Sequence, residues 1–187
     1  MTKDKVREAI ATYRAKFTEL GVPDTRLPNR TSENDADCLA YYHTALRDLE
    51  AIMDGCDEDD TARSDVAFAS MALASYRTTF GFLATPRKRL LPDAIPGTPA
   101  EFLGHCHAML SDMNGFLAEN RLDKLFRWIG FVDGCLWKHH IQIGAGWDPV
   151  GAARNMRMAF RLLGFIQGCL WTCGVYTVAQ LKDHNRP

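Results

Sequence analysis

The segment FRWIGFVDGCLW at 126–137 returns 34 residues later as FRLLGFIQGCLW at 160–171, with eight of twelve positions identical. Each copy carries two glycines four residues apart, Gly130 with Gly134 and Gly164 with Gly168, and that spacing puts both on one helix face. A helical glycine costs about 1 kcal/mol relative to alanine, so a compensating contact is required. Close approach of another backbone supplies one. The two copies are therefore predicted to cross at their glycines, related by an approximate two-fold axis, with Trp137 and Trp171 covering the crossing. Arg127, Asp133 and Arg161 exclude a membrane-embedded pair. Two copies fall short of the roughly three repeats that a solenoid needs.

Asp133 and Gln167 occupy the same place in the two copies, inside otherwise apolar runs. If buried, each needs a hydrogen-bond partner, and the repeated arginines Arg127 and Arg161 are the candidates. Two readings stay open. The polar residues form a network that fixes helix packing, or the paired arginines and tryptophans form a ligand site at the pseudo-two-fold.

The rest of the chain also reads as helix. Val6, Ile10, Tyr13, Phe17 and Leu20 recur at three- and four-residue spacing, and Gly21 and Pro23 then stop the run. A second helix is expected from about 33, capped by Ser32, to 54, with Leu39, Tyr42, Leu46, Leu49 and Met53 inward. The acidic run Asp57, Glu58, Asp59, Asp60 precedes a third, 66–83, and suits a helix start, whereas the alternating ligands of a calcium-binding loop are missing. The second and third helices are expected to form an antiparallel hairpin. Four prolines and the basic cluster Arg87, Lys88, Arg89 make 85–99 a linker. Thr98-Pro99-Ala100-Glu101 opens a helix to about 119; others follow over 122–140, from Asp148-Pro149 to 173, and after Thr177. The expectation is an all-α bundle of about seven helices in one domain, 1–187. N-terminal helices (1–86), a proline-rich linker (87–98) and C-terminal helices (99–187) make it up.

With 22 basic and 23 acidic residues the net charge is −1, which gives no general pull toward nucleic acid or membranes. No apolar run approaches the roughly 20 residues of a membrane span, and the N-terminus MTKDKVREAI lacks a signal-peptide core, so a cytoplasmic location is expected. Cys38, Cys56, Cys106, Cys135, Cys169 and Cys173 sit mostly in apolar helical runs and read as reduced, buried thiols.

Catalytic signatures are sparse. The chain has no GxSxG, P-loop, GxGxxG or HExxH pattern. His105, Cys106 and His107 are adjacent on a helix and point in different directions, so they cannot converge on one ion. Cys169 and Cys173 share a face, and a zinc site completed by Cys135 or His107 competes with ordinary core packing. His139 and His140 end a helix, where imidazoles meet free carbonyls. No metal or other cofactor is predicted.

The stretch FRLLGFIQGCLWTCGVYTVAQLKDHNR at 160–186 resembles the C-terminal signature of small proteins of tailed bacteriophages and prophages. In that family an arginine–aromatic–Leu-Gly-Phe-x-Gln-Gly helix precedes a short capped helix ending in His-Asn-Arg. Leu162 replaces the family's tryptophan, while the upstream copy keeps Trp128 but has Asp133 for the glutamine. The resemblance implies a phage context, hence the host cytoplasm, and transfers no catalytic residue. The helix pair over 35–86 is similar to the hairpin of phage proteins that sequester cyclic-nucleotide immune signals. That similarity implies ligand contacts from Tyr41, Tyr42, Arg77, Thr78 and the cluster Arg87, Lys88, Arg89.

The functional expectation is a non-enzymatic phage accessory protein that inhibits a host protein or sequesters a nucleotide-like defence signal. Its candidate ligand residues are Arg127, Arg161, Trp137, Trp171, Asp133, Gln167, Tyr41, Tyr42, Arg77, Arg87 and Arg89. One alternative is an enzyme acting on a nucleotide or other small molecule, with His107, His139 and Asp133 as candidates. The other is an assembly protein that self-associates through its glycine-bearing helices.

Overall fold

Thr2 accepts the Lys5 amide at 3.4 Å and opens α1 (Lys3–Glu19). The computed structural model describes residues 2–24, 35–55, 62–141 and 156–185. Six helices follow α1: α2 (Asp35–Gly55), α3 (Ala62–Phe82), α4 (Pro99–Ala118), α5 (Leu122–Lys138), α6 (Met156–Thr172) and α7 (Val178–Asp183), with no strand among the described residues. The predicted caps hold for α4 and α7: Thr98 accepts the Glu101 amide, and Thr177 and Gln180 form a reciprocal capping box. Ser32, Cys56, the run Asp57 to Asp60, and Asp148-Pro149 lie outside the described residues. No described helix is long and apolar enough to cross a membrane.

The centre is the α5–α6 pair. A Cβ on Gly130 would lie 1.8 Å from the Arg161 carbonyl oxygen, and one on Gly164 would lie 1.9 Å from that of Arg127. At Gly134 and Gly168 the obstructing atoms are the carbonyls of Phe165 and Phe131, each at 2.2 Å. The contacts are reciprocal under the 34-residue shift. They also advance in the same sense along both chains, so α5 and α6 run parallel where they touch. Cys135 and Cys169 follow the same rule, each directing its thiol at the facing glycine carbonyl, Gly168 at 3.6 Å and Gly134 at 3.3 Å. Trp137 packs on Phe165 and Trp171 on Phe131, ring centroids 5.8 and 5.3 Å apart.

Reciprocity extends to the flanking helices. In α1, Tyr13, Arg14 and Phe17 recur in α3 as Tyr76, Arg77 and Phe80, within ATYRAKFTELGVP and ASYRTTFGFLATP. Both helices close with a left-handed residue, Gly21 (φ 66°) and Ala84 (φ 48°). The next amide bonds back to the phenylalanine carbonyl, Val22 to Phe17 at 2.9 Å and Thr85 to Phe80 at 3.1 Å. His43 of α2 stacks on Phe17 and contacts the Val22 carbonyl; His107 of α4 stacks on Phe80 and contacts that of Thr85. Arg14 clasps Glu50, and Arg77 bonds Asn114. The chain thus contains two similar hairpins, α1–α2 and α3–α4, packed on α6 and α5 respectively.

The expected α2–α3 hairpin is corrected by this arrangement. The buried faces of α2 turn toward α1 and α6, and those of α3 toward α4 and α5. Buried side chains of all seven helices join one apolar cluster. Residues 87–94 form a strap along α4 rather than a bare connector. The Lys88 amide donates to the Gly104 carbonyl, Leu90 to His105 Nδ1, and the Ala179 amide of α7 to Pro92.

Candidate functional site

The strap, α4, the first turns of α5, and α7 enclose a cleft of about 1160 Å³. Its walls carry five cationic side chains, Arg89, Arg121, Lys124, Arg127 and Lys182, against two acidic ones, Asp112 and Glu119. The chain as a whole is at −1, so the excess of positive charge is local. Arg89 bonds Asp112 at 2.8 Å and Arg121 bonds Glu119 at 3.2 Å, which cancels both acids. Lys124 and Lys182 carry the remainder, and Arg127 stands within 4.0 Å of Asp123.

The cations stand on aromatic surface. Lys124 Nζ lies 4.3 Å from the centroid of Phe116 and 5.9 Å from that of Trp128, and the Arg121 guanidinium lies 5.2 Å from Phe116. Phe116 and Trp128 meet edge to face at 5.0 Å. Partial burial and then the charges of Arg121 and Arg127 hold the Lys124 ammonium below its ordinary pKa, while burial does the same for Arg127, which keeps Asp123 at 4.0 Å. Crowded, partly desolvated cations beside flat apolar walls favour an anionic ligand with a planar body.

His105 closes the inner end. Its Nδ1 accepts the Leu90 amide at 3.0 Å, which leaves the proton on Nε2, and burial followed by Arg89 and Lys182 pushes its pKa down to about 4. It is therefore neutral near pH 7. The α7 wall is pinned by a paired amide contact, Gln167 Nε2 to Asn185 Oδ1 at 3.0 Å and Asn185 Nδ2 to Gln167 Oε1 at 3.2 Å. Gln167 also donates to the Tyr13 hydroxyl at 2.7 Å. It pairs with these groups, and not with a repeated arginine as the sequence suggested.

The sequence candidates divide into several groups. Arg127, Gln167 and Arg89 line the cleft. Asp133 and Arg161 are buried together, their side chains 2.7 Å apart, with Tyr76 on the carboxylate. Trp137 stacks on Tyr41 at 5.1 Å and meets Tyr42 edge-on, on the α2 side of the molecule. Trp171 is fully buried behind His105 and donates its indole N–H to the Ala94 carbonyl. Arg77 bonds Asn114, and Arg87 bonds His107 Nε2 at 3.3 Å. His139 stacks on Phe102 at 4.0 Å, away from the cleft lining. Gly130, Gly134, Gly164 and Gly168 hold the helix crossing.

Sequence reading missed Lys124, Arg121, Lys182, Phe116, Trp128 and Asn185. A signal was present: Arg121, Lys124 and Trp128 fall three and four apart, one face of the start of α5. Among the described residues no group of three or more histidine, cysteine or acidic side chains could hold a metal ion. Cys135 sits against Cys106, and Cys173 against Cys38. The chain matches no protein-family model, no curated protein and no solved structure.

Proposed function

We propose that this chain is a non-enzymatic binding protein that takes a nucleotide-like anion out of circulation, the cleft between strap, α4, α5 and α7 being its site. The carrying observation is the local excess of cations laid over Phe116 and Trp128 in a chain whose net charge is −1. Cationic groups over an aromatic wall match the two halves of a nucleotide, phosphate and base. Both acids of the cleft are engaged by arginines and its histidine is neutral and hydrogen-bonded, which suits retention more than turnover. The phage resemblance of 160–186 supplies the biological setting, in which a host defence signal is the ligand.

Thermal unfolding with a panel of mono-, di- and cyclic nucleotides tests this reading. A ligand at 100 times its Kd adds about 2.7 kcal/mol, roughly 5–10 °C in Tm for a domain of this size. The same nucleotide must be recovered unchanged after heat release. A panel with no shift overturns the proposal, and recovery of a converted product replaces it with an enzyme.

A further inference from the structure

Asn185 and Gln167 meet as two amides held in one orientation. A carbonyl oxygen only accepts, so the Asn185 atom 2.9 Å from the Leu181 carbonyl is Nδ2. The same nitrogen lies 3.2 Å from Gln167, which must therefore turn Oε1 toward it, and Gln167 Nε2 then donates to Asn185 Oδ1 at 3.0 Å. The second Nε2 hydrogen goes to the Tyr13 hydroxyl at 2.7 Å, which leaves the Tyr13 proton for His184 Nδ1 at 3.3 Å. Each bond fixes the next, from the α7 backbone to the histidine.

A side-chain amide has two N–H donors and two acceptor lone pairs on its oxygen. All four N–H groups of this pair are committed inside the protein, while each oxygen has accepted once. What the pair still offers is acceptor capacity alone. Both residues line the cleft, Asn185 half-buried and Gln167 buried, so Asn185 Oδ1 is the oxygen that a ligand meets. Arg121, Lys124 and Lys182 supply donors on the same walls, and the carboxylates of Asp112 and Glu119 are each held by an arginine.

Phosphate oxygens accept, so Asn185 leaves the anionic end of a nucleotide to the cations. A sugar hydroxyl donates or accepts and suits either kind of wall. Selectivity therefore arises at the base, where an amine donates and a carbonyl or a bare ring nitrogen does not. We infer that Asn185 is a specificity-determining residue whose Oδ1 accepts an exocyclic amine of the ligand's base, with Gln167 and the Leu181 carbonyl holding it in that orientation. The inference rests on the proposed binding role of the cleft and names the class of base that the cleft selects, an amine-bearing one.

Isothermal titration of the full chain with ATP and with purine riboside triphosphate, which differs from ATP only in lacking the amine, tests this. ATP is expected to bind about 5-fold tighter, as one neutral hydrogen bond allows. Asn185→Leu removes the acceptor at similar volume and is expected to bring the two affinities together, whereas a merely structural role for Asn185 would weaken both ligands and keep their ratio. The wild-type ratio needs no substitution, so it decides the matter if that variant disturbs folding. Equal affinities in the wild-type protein overturn the amine contact and leave a ligand cleft standing. A preference for ATP that survives Asn185→Leu puts the amine on another group and overturns the assignment. No binding of either triphosphate overturns the cleft reading itself, and the inference with it.

Discussion

Oδ2 of Asp133 receives both Nε and Nη2 of Arg161, at 2.9 and 2.7 Å, in the buried heart of the bundle. Oδ1 takes the Tyr76 hydroxyl at 2.5 Å, and the guanidinium lies 4.7 Å from the Phe68 ring centroid. Burial raises the Asp133 pKa and Arg161 opposes that rise. The pair therefore stands or falls together. Asp133→Asn leaves a buried guanidinium uncompensated and is expected to cost about 3–5 kcal/mol in urea unfolding, whereas Asp133→Leu with Arg161→Met comes back to within about 1 kcal/mol of wild type. A single mutant that loses less than about 1 kcal/mol contradicts this account.

Glycines of the two kinds in this chain give opposite predictions. Gly164→Ala puts a methyl 1.9 Å from the Arg127 carbonyl, so the helices must separate. The expected result is loss of cooperative melting by circular dichroism, or a large drop in Tm. Gly115→Ala lies in α4 with nothing within 4 Å of the new methyl, and is expected to gain up to about 1 kcal/mol from helix propensity. Equal effects at both positions would refute the crossing.

His105 and His139 make stability depend on pH. Both have folded pKa values pushed down to about 4, chiefly by burial, from an ordinary 6.5. The unfolded chain therefore takes up protons first as the pH falls. Stability is full above about pH 6.5 and declines toward pH 4, by as much as about 1.4 kcal/mol per pH unit for the buried His105 and by less for His139, which water screens. His105→Gln keeps an acceptor for the Leu90 amide and is expected to flatten the decline of Tm between pH 6.5 and 5 by one proton's share. A variant with the wild-type slope contradicts the assignment.

Helical periodicity, caps and the glycine spacing made the bundle legible because each is local. Val6, Ile10, Tyr13 and Phe17 announce α1 without reference to the rest of the chain. Pairing of hairpins was less legible: α2 and α3 are neighbours in sequence, yet each turns its buried face to another helix. The clue lay in Tyr13-Arg14 and Tyr76-Arg77, a weaker repeat than the tryptophan motif, since fewer of its positions are shared. The cleft was the least legible element. Arg89, Phe116, Lys124 and Lys182 come from the strap and three helices, and no spacing along the chain records that convergence. Arg127 and Gln167 were found because the duplication singled them out, but it singled out Arg161 and Asp133 equally.

We propose that the cleft, and not the Tyr41–Trp137 stack or the buried Asp133–Arg161 pair, receives the ligand. Nitrogen-15 spectra of the full chain titrated with ATP test it directly, because Trp128 lines the cleft while Trp137 and Trp171 pack elsewhere. The account predicts a saturable shift of the Trp128 indole N–H together with the Asn185 side-chain amide, the Trp137 indole staying in place. A titration that moves Trp137 and leaves Trp128 unmoved contradicts it.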